Sequence, residues 1–474
     1  MRKTKIICTI GPACSDEETL RKMCLAGMNV ARLNFSHGSH QEHLQRIQLI
    51  KKVREELQMP VAIMLDTKGP EYRIGCFENG PVELKEGDLF TLTTQNVPGD
   101  CHRVSVNYQG LCEELHPGDR VLINNGLIAM NVLESTSTEA RCLVTAGGVL
   151  SDRKSMSIPG RVFRHEYLSQ QDKDDILFGA ENDVDFIACS FVSRKEDLLA
   201  VRSFLAEHGV EDIDLIAKIE NQSGVDNIEE ICTACDGIMV ARGDLGVEIP
   251  FEALPAVQKQ LITRCRLLGK RVITATEMLE SMINNVRPTR AEISDVANAV
   301  YDGTSAIMLS GETAAGKYPV LAVETMARIA QETEKHIHYS SRFRKAEFQI
   351  HNVVDAISHA VCGMAIDIDA SLIVVCSLSG RTVRMVSRFR CPADILGITT
   401  NEKSWRKLAL SWGVTPALSE HFDSTDVMFF NAKKLARDTF HLQKGNRIVI
   451  TGGLPGSVPN GATGGTNTLK IEVI

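Results

Sequence analysis

Eight short apolar segments, separated by stretches of helical periodicity, constrain the fold of this chain more than any other feature. The segments are KIICTI, MNVARL, VAIMLD, VDFIACS, IDLIAK, GIMVA, RVITA and TSAIMLS. Stretches such as EETLRKMCLAG and FEALPAVQKQLITRCRLLG between them have the spacing of amphipathic helices. Alternating strands and helices predict a parallel sheet with helices outside it. Eight such units predict an α/β fold built on a (β/α)8 TIM barrel.

Two regions depart from this alternation. Between Asp66 and about Pro159 the helical periodicity disappears, and short β-like runs predict a small β domain inserted after the third strand. After residue 344 the segments SLIVVCS, DILGITT and RIVITGG predict a C-terminal α/β domain. The predicted domains are the barrel at 1–68 and 160–344, the inserted β domain at 69–159 and the C-terminal domain at 345–474.

The composition excludes several classes of protein. A chain of 474 residues with 43% hydrophobic and 24% charged residues is typical of a soluble protein with several domains. A net charge of −8 argues against a nucleic-acid partner, and no apolar run approaches the ~18 residues of a membrane helix. The 14 cysteines are scattered, with a single C-x-x-C at Cys232 and Cys235, so we expect reduced thiols in a cytoplasmic protein rather than zinc.

Charged and polar residues follow six of the eight predicted strands, at the end where such barrels carry their chemistry. They are Arg32 and Asn34 to Ser36, Asp66 to Lys68, Lys218 to Asn221, Arg242 to Asp244, Thr276 with Glu277, and Ser310 to Glu312. Alone, Lys218 and Glu220 would indicate only a minor ion pair at a sheet edge, since residues i and i+2 of a strand share a face. Six strands together predict an active site at one rim.

The residue types at this rim indicate the chemistry. Glu220 and Asp244 follow adjacent strands, and Mg²⁺ takes one or two protein carboxylates together with substrate oxygens. Arg32, Arg73 and Lys218 supply positive charge for an anionic substrate. The set predicts metal-assisted phosphoryl or enolate chemistry.

Two other motifs point elsewhere and are less favoured. GETAAGK at 311–317 has the first part of a P-loop, but Tyr318 stands where that loop needs Ser or Thr for Mg²⁺. His37, His40 and His43 suggest a metal cluster, but their spacing does not keep them on one helix face. A solvated helix start is the simpler interpretation of the histidines.

Several long stretches of the sequence resemble the pyruvate kinase family. They are KIICTIGPA, AGMNVARLNFSHG, LDTKGPE, IAKIEN, DGIMVARGDLGVEIP, ITATEMLESM, RPTRAEISDVANAVYDGTSAIMLSGETAAGKYP and TTNEK. The resemblance spans nearly the whole chain. It implies a catalytic (β/α)8 barrel, an inserted small β-barrel lid domain and a C-terminal α/β domain with a regulatory or effector role, in a cytoplasmic homotetramer. It also implies the last step of glycolysis, in which phosphoenolpyruvate phosphorylates ADP to give pyruvate and ATP, with Mg²⁺ or Mn²⁺ and K⁺.

The resemblance also implies roles for single residues. Glu220 and Asp244 would hold Mg²⁺, and Arg32 would bind phosphate. Lys218 would neutralise charge on the transferring phosphoryl group and the enolate, a task that suits a compact ammonium. The backbone N–H groups of Gly243 and Asp244, with the Thr276 hydroxyl, would hold the substrate carboxylate, and Thr276 with Ser310 would lie on the proton route. K⁺ would be bound by Asn34, Ser36, Asp66 and Thr67. Arg73 and Lys154 would bind the nucleotide phosphates. Glu71 resembles the K⁺-requiring members, because K⁺-independent ones carry Lys there.

Three departures from the family limit these expectations. Asn124 and Asn125 replace a usual pair of aspartates in the lid, and Glu277 replaces a usual Gln near the metal. In the C-terminal domain, the loop that relatives use for fructose 1,6-bisphosphate would comprise Ser377, Ser379, Gly380, Arg381 and Thr382, at a helix start that suits a phosphate. Phe430 stands where responsive relatives tend to have Arg, so we expect a sugar-phosphate or nucleotide effector without naming it; an ordinary turn is the alternative.

Two other functions stay open at this point. One is another Mg²⁺-enolate barrel enzyme, such as a lyase, which would not need the K⁺ residues or a lid bearing Arg73 and Lys154. The other is a catalytically silent, effector-binding regulator on the same scaffold, which should have lost charge at Lys218, Glu220 or Asp244. All three charges are present, so the sequence favours the active kinase.

Overall fold

The computed structural model describes residues 1–164, 166–421, 424–453 and 465–474. The chain begins with the first part of a barrel, which consists of β1 Lys5–Thr9, α1 Glu17–Ala26, β2 Val30–Asn34, α2 His40–Leu57 and β3 Ala62–Asp66. An inserted region follows, with β4 Tyr72–Arg73, β5 Val82–Leu84, β6 Leu89–Thr93, β7 Arg103–Ser105, α3 Leu111–Glu114, β8 Arg120–Ile123, β9 Ile128–Ser135, β10 Glu139–Ala146, β11 Gly148–Leu150 and β12 Ser155–Ser157.

The barrel then continues. Its second part comprises α4 Gln170–Glu181, β13 Phe186–Cys189, α5 Lys195–Glu207, β14 Asp214–Ile219, α6 Gln222–Asp226, α7 Ile228–Ala234, β15 Gly237–Ala241, α8 Arg242–Glu248, α9 Leu254–Leu267, β16 Arg271–Ala275, α10 Arg290–Asp302, β17 Ala306–Leu309, α11 Gly311–Ala314 and α12 Pro319–Lys335, with short 3-10 turns at Pro12–Cys14, Phe251–Ala253 and Glu280–Ile283. Capping boxes begin several of these helices, for example Ser39 with Glu42 on α2 and Thr289 with Glu292 on α10.

The last region is a separate α/β layer. It contains α13 Tyr339–Lys345, α14 Val353–Asp367, β18 Leu372–Cys376, α15 Arg381–Arg388, β19 Asp394–Thr399, α16 Glu402–Leu408, β20 Val414–Leu418, α17 Thr425–Phe440, β21 Arg447–Gly452 and β22 Thr468–Val473. Among the described helices, none is long and apolar enough to cross a membrane.

Eight parallel strands close the barrel, which confirms the predicted (β/α)8 fold. Their order is β1-β17-β16-β15-β14-β13-β3-β2. Side chains such as Ile7, Met64 and Phe186 fill the interior, while a larger cluster packs between the strands and the surrounding helices. The interior is therefore a packed core, and the ends of the strands carry the polar residues at one rim.

The insert forms the predicted small β-barrel. Seven strands pair in the order β4-β12-β8-β9-β10-β6-β7, and a bridge between Ile74 and Val106 joins the two outer strands. The region is not entirely without helix, since α3 forms one short turn of it. Gly69, at the predicted hinge, has φ +66°, and a Cβ there would lie 2.8 Å from the Ser190 side chain. A side chain is therefore disfavoured at this hinge for two separate reasons.

The C-terminal sheet has five strands in the order β20-β19-β18-β21-β22. The sequence pattern predicted only the three central ones. Both missed strands lie at edges: β20 contains Pro416, and β22 alternates apolar residues with Lys470 and Glu472. The predicted α/β class is confirmed, while the limits given for the three domains stay predictions.

The C-terminal domain contacts the end of the barrel opposite to the polar rim. Lys5, which begins β1, donates from Nζ to the Val414 carbonyl at 2.7 Å. Arg406 Nε donates to Asp185 Oδ1 at 2.8 Å, just before β13. The rim and the C-terminal domain therefore lie at opposite ends of the barrel strands.

Candidate active site

Lys218 lies at the centre of the rim, at the end of β14. Its Nζ donates to Asp66 Oδ1 at 3.0 Å and to Ser190 Oγ at 2.7 Å. The same Nζ lies 3.0 Å from Glu220 Oε1. The parallel register of the barrel brings these residues together, because it places the ends of β3, β13 and β14 side by side.

Arg32 reaches the same cluster from β2. Its Nε donates to Asp66 Oδ2 at 2.7 Å, and its Nη1 donates to Thr9 Oγ1 at 2.9 Å. Asp66 thus joins Arg32 and Lys218, which orients two cations side by side at the rim. Ser190 and Thr9, which the sequence pattern missed, are single hydroxyls after otherwise apolar segments; only their place at a strand end could have indicated them.

The charges in the cluster set one another's ionisation. Burial opposes the charge on Lys218, but Asp66 and Glu220 outweigh it and raise the pKa of Lys218 above its ordinary value. Burial also favours protonation of Asp66, but Arg32 and Lys218 outweigh it, so the pKa of Asp66 is lowered. Burial, helped by Asp244 and opposed by Lys218, raises the pKa of Glu220 to about 7. A cation bound beside Glu220 would therefore lower its pKa and stabilise the ionised carboxylate.

The donor set at Glu220 and Asp244 fits a divalent ion. Glu220 Oε2 accepts from Phe191 N at 2.6 Å, and its buried Oε1 forms the ion pair with Lys218 Nζ at 3.0 Å. Asp244 follows the neighbouring strand, at the start of α8, and is exposed. Within the described ranges no group of three or more Cys, His, Asp and Glu could enclose a metal. Two carboxylates with open positions suit Mg²⁺, which keeps water or substrate oxygens as its other ligands.

Thr276 occupies a strained turn after β16. Both Thr276 and Glu277 have positive φ, +67° and +55°, which is unusual for a β-branched residue. Thr276 Oγ1 accepts from Gly243 N at 2.9 Å, so the turn contacts the start of α8. Strain of this kind persists only where the surroundings enforce it, and here it holds a hydroxyl beside two backbone N–H groups.

Arg242 enforces this turn, although the sequence pattern assigned no role to it. Its guanidinium donates to the carbonyl of Thr276 at 2.5 Å and to that of Glu277 at 3.1 Å. Nη1 pairs with Asp295 at 2.8 Å, which fixes the guanidinium from the other side. Arg242 stands between β15 and Asp244, but these three partners lie 34 to 53 residues away along the chain.

Arg242→Lys is expected to raise the KM for the substrate bound at the rim and to lower kcat/KM about 100-fold. Lysine keeps the charge opposite Asp295 but lacks a fork that can hold two carbonyls, so the Thr276 turn would relax. Steady-state kinetics measures the effect, with Arg344→Lys, the same exchange at an exposed arginine paired with Asp367, as the control that stays near wild type. An unchanged KM in Arg242→Lys would contradict this positioning role.

The four residues predicted for K⁺ come together at the ends of β2 and β3. Asn34 lies opposite Asp66 in the pairing of these strands. Asn34 Oδ1 accepts from Ser36 N at 3.2 Å, and Thr67 Oγ1 donates to the Ala188 carbonyl at 3.3 Å. The cluster offers carbonyl, hydroxyl and carboxylate oxygens, the ligand type that K⁺ takes.

The two cations predicted for the nucleotide lie on the lid. Arg73 of β4 pairs with Ser155 of β12, so Lys154 is close to it along the neighbouring strand. Arg73 also forms a two-pronged pair with Glu71, at 2.8 Å and 2.7 Å. A cleft between lid and barrel is lined by Glu71, Ser155 and Asp244. The lid therefore places its cations beside a cleft that reaches the rim.

Ser310 and Glu312 complete the rim after β17. Ser310 Oγ is buried and has no hydrogen-bond partner among the described residues. Glu312 is buried and accepts from Leu279 N at 3.0 Å and from Ser310 N at 2.7 Å. The GETAAGK stretch thus uses its carboxylate to brace the neighbouring turn, which differs from the phosphate cradle of a P-loop.

The histidines near the start of α2 contact other side chains: His40 bonds Asp175 at 2.6 Å and His43 stacks on Phe35.

Comparison with known proteins decides the family. The family model for the pyruvate kinase barrel domain matches residues 1–323, and that for the pyruvate kinase alpha/beta domain matches residues 355–472. The chain belongs to the pyruvate kinase family. It is 45% identical to a pyruvate kinase of Clostridium acetobutylicum over the full length of both chains. It is 47% identical to one of Geobacillus stearothermophilus, covering all of this chain and 80% of that one.

A solved structure agrees with this membership. The crystal structure of a pyruvate kinase from Cryptosporidium parvum superposes with a TM-score of 0.93 at 37% identity, over 100% of this chain and 96% of the other. As a member of this family the chain is a phosphotransferase.

The structure clarifies two departures from other pyruvate kinases. Asn124 and Asn125 both have positive φ, +56° and +55°, in the turn between β8 and β9. Asparagine tolerates that conformation well, so backbone geometry accounts for both residues. Glu277 is exposed. Burial raises the pKa of the nearby Glu280, and the charges of Glu312 and Glu277 raise it further.

The loop predicted to bind an effector lies between β18 and α15. Ser379 and Arg381 are exposed, whereas the Thr382 hydroxyl is bonded to that of Thr466. Gly380 has φ +71°, and a Cβ there would lie 3.0 Å from Leu408. Ser377 N donates to the Ile398 carbonyl at 2.9 Å. Phe430, on α17, is 70% exposed. The loop offers hydroxyls and a guanidinium to solvent, but the residues alone do not select one ligand.

Proposed function

We propose that this chain transfers the phosphoryl group of phosphoenolpyruvate to ADP and protonates the resulting enolate, giving pyruvate and ATP. The observation that carries the proposal is the arrangement around Lys218. A buried ammonium stands between Asp66 and Glu220 and forms an ion pair with Oε1 of Glu220, and Asp244 follows the next strand. Phosphoryl transfer needs this combination of fixed positive charge and metal-binding carboxylates.

The substrate anion would be held by groups that the fold has already fixed. Arg32 and Lys218 would bind its phosphate, since Asp66 orients both cations. The N–H groups of Gly243 and Asp244 would bind its carboxylate at the start of α8, with the carboxylate replacing Thr276 Oγ1 as the acceptor of Gly243. Such preorganised donors cost no reorganisation when charge develops.

Glu220 and Asp244 would hold Mg²⁺ or Mn²⁺, which supplies Lewis-acid stabilisation of phosphate and enolate oxygens when bound. Lys218 would neutralise the charge that accumulates on the bridging oxygen as the phosphoryl group leaves. Its raised pKa keeps the ammonium protonated throughout, so Lys218 acts by charge rather than as an acid.

The enolate proton would arrive from the side of Thr276 and Ser310. The free Oγ of Ser310 is available to a water or to the Thr276 hydroxyl. Arg73 and Lys154 would bind the nucleotide phosphates at the cleft that separates lid and barrel. ADP would thereby approach the phosphoryl group from the lid side, as an in-line transfer needs.

A direct assay tests the proposal. Phosphoenolpyruvate, ADP, Mg²⁺ and K⁺ are mixed with the protein, and pyruvate and ATP are both measured. We expect the two products in equal amounts. Pyruvate formed without ADP would indicate a lyase instead, and no turnover with or without effectors would indicate a silent regulator.

We expect activity to depend on K⁺. Asn34, Ser36, Asp66 and Thr67 would bind the ion, and Glu71 cannot supply the positive charge that a lysine would. Replacing K⁺ and NH₄⁺ by a large organic cation should lower kcat at least about 10-fold. Glu71→Lys should lessen that loss. Unchanged turnover in K⁺-free, NH₄⁺-free buffer would contradict the prediction.

The C-terminal domain would regulate the enzyme through the loop Ser377–Thr382, with a sugar phosphate or a nucleotide as effector. Exposed hydroxyls and the N-terminus of α15 support this use. Titration of candidate effectors at low phosphoenolpyruvate tests it, with Ser379→Ala as the variant that should weaken the response. No response to any of them would refute regulation at this loop. The proposed setting is a cytoplasmic homotetramer, in which the C-terminal domain carries one interface.

A further inference from the structure

A second cleft lies between the barrel and the C-terminal domain, far from the rim. Its lining is strongly basic on both sides: Lys259, Arg264 and Lys270 come from the barrel, and Arg381, Arg384 and Arg388 come from α15. The three arginines are spaced i, i+3 and i+7, so one face of α15 presents them all. The backbone of Gly269 lies against that face, where a Cβ would meet Met385 at 2.8 Å.

Arg388 is the buried end of this face. Its side chain is 6% exposed, yet Nε and Nη2 make no hydrogen bond within the described part of the chain. Nη2 forms an ion pair with Asp355 Oδ1 at 3.4 Å, and Nη1 donates to the Leu267 carbonyl at 3.4 Å, so both contacts are long. An anion in the cleft would give this guanidinium a shorter, charge-assisted partner.

The acidic residues of the cleft do not balance the cations. Glu229 is bonded to Arg264, and Glu347 is exposed. Asp355 accepts a hydrogen bond from His351 N, just before α14, at 3.2 Å. Two further carboxylates, Asp214 and Asp236, are shared among several cations. Their partners are Arg271, Arg384 and Lys407 for Asp214, and Arg202 and Arg384 for Asp236. Lys259 is also paired with Asp302, and Arg388 with Asp355. The lining residues comprise six cations and four carboxylates, so an excess of two positive charges remains where the two domains meet.

We propose that this cleft binds a small phosphate-bearing polyanion, which bridges the barrel and α15. Two basic walls from different domains suit a ligand with at least two anionic groups, and planar guanidinium groups suit phosphate oxygens. The site lies on the helix face of α15, apart from the hydroxyls of the loop Ser377–Thr382. Arg384 also pairs with Asp214 at 3.3 Å, the first residue of β14, whose other end carries Lys218.

Inorganic pyrophosphate is the probe that tests the site. Calorimetric titration of the intact protein, without divalent metal so that the probe is not chelated, should show saturable binding. Lys270→Met and Arg384→Met should each weaken it at least about 10-fold, because each removes one charge from a different wall. Both residues are incompletely buried, so the variants should fold. Arg344→Met, an exposed arginine of α13 paired with Asp367, is the matched control and should bind like the wild type.

Two further variants distinguish this cleft from the other anion sites. Arg32→Gln removes a phosphate ligand of the rim, and Ser379→Ala alters the effector loop. The proposal predicts that both keep the pyrophosphate affinity of the cleft. Loss of binding in either of them, equal affinity in Lys270→Met and the wild type, or no saturable binding at all would overturn the proposal.

Discussion

Lys218→Met should lower kcat by about 1,000-fold or more, with the fold retained. The wild-type ammonium faces the proposed position of the transferring phosphoryl group, and Arg32 cannot replace it there because its Nε and Nη1 hold it to Asp66 and Thr9 on the side of β2. Lys218 also lowers the pKa of Glu220, so its loss would favour protonation of that carboxyl. The assay therefore belongs at about pH 8.5, where Glu220 stays ionised and Mn²⁺ binding should persist.

Lys403→Met is the matched control for this variant. Lys403 also contacts two carboxylates, Asp183 at 3.2 Å and Asp212 at 3.0 Å, but it lies at the domain junction. Its replacement should leave kcat near the wild-type value. Circular dichroism and single-turnover phosphoryl transfer complete the comparison. Turnover of Lys218→Met within about tenfold of the wild type would remove Lys218 from the chemistry.

The second large effect is expected at the metal site. Glu220→Gln and Asp244→Asn should each weaken Mn²⁺ binding at least about 100-fold, because each removes one of only two protein carboxylates. Oε1 of Glu220, which is paired with Lys218, is the atom whose loss matters most, since Oε2 accepts from the Phe191 N–H. Electron paramagnetic resonance of Mn²⁺ measures the affinity directly, without any need for turnover.

Glu277→Gln is the matched control, because it makes the same exchange of Glu for Gln at a different position. Its carboxylate acts on Glu280 rather than at the Lys218 cluster, and the variant restores the residue usual in the family. Its Mn²⁺ affinity should stay within about twofold of the wild type. If Glu277→Gln weakened Mn²⁺ as much as Glu220→Gln, the ion would lie closer to the Thr276 turn than proposed.

Much of the site could be predicted because barrel strands are ordered along the chain. Glu220 and Asp244 follow consecutive strands, so their proximity follows from the count of strands alone. Ser190 could not be found in this way, since a single hydroxyl after an apolar segment carries no pattern. Arg242 was visible but had no evident role, because its acceptors are backbone carbonyls, which leave no trace in a sequence.

The sequence by itself determined the class of fold and the rim on which charge collects. Both depend on local periodicity, since alternating strands and helices force the strand ends to one side. Tertiary structure alone decided the ionisation and hydrogen bonding of that charge. Lys218 meets Asp66 across 152 residues, and burial shifts the pKa of Glu220 to about 7. Solvation and Coulomb interactions depend on distance in space, so only the closed barrel turns a strand-end Lys-x-Glu into a site for a phosphoryl group and its metal.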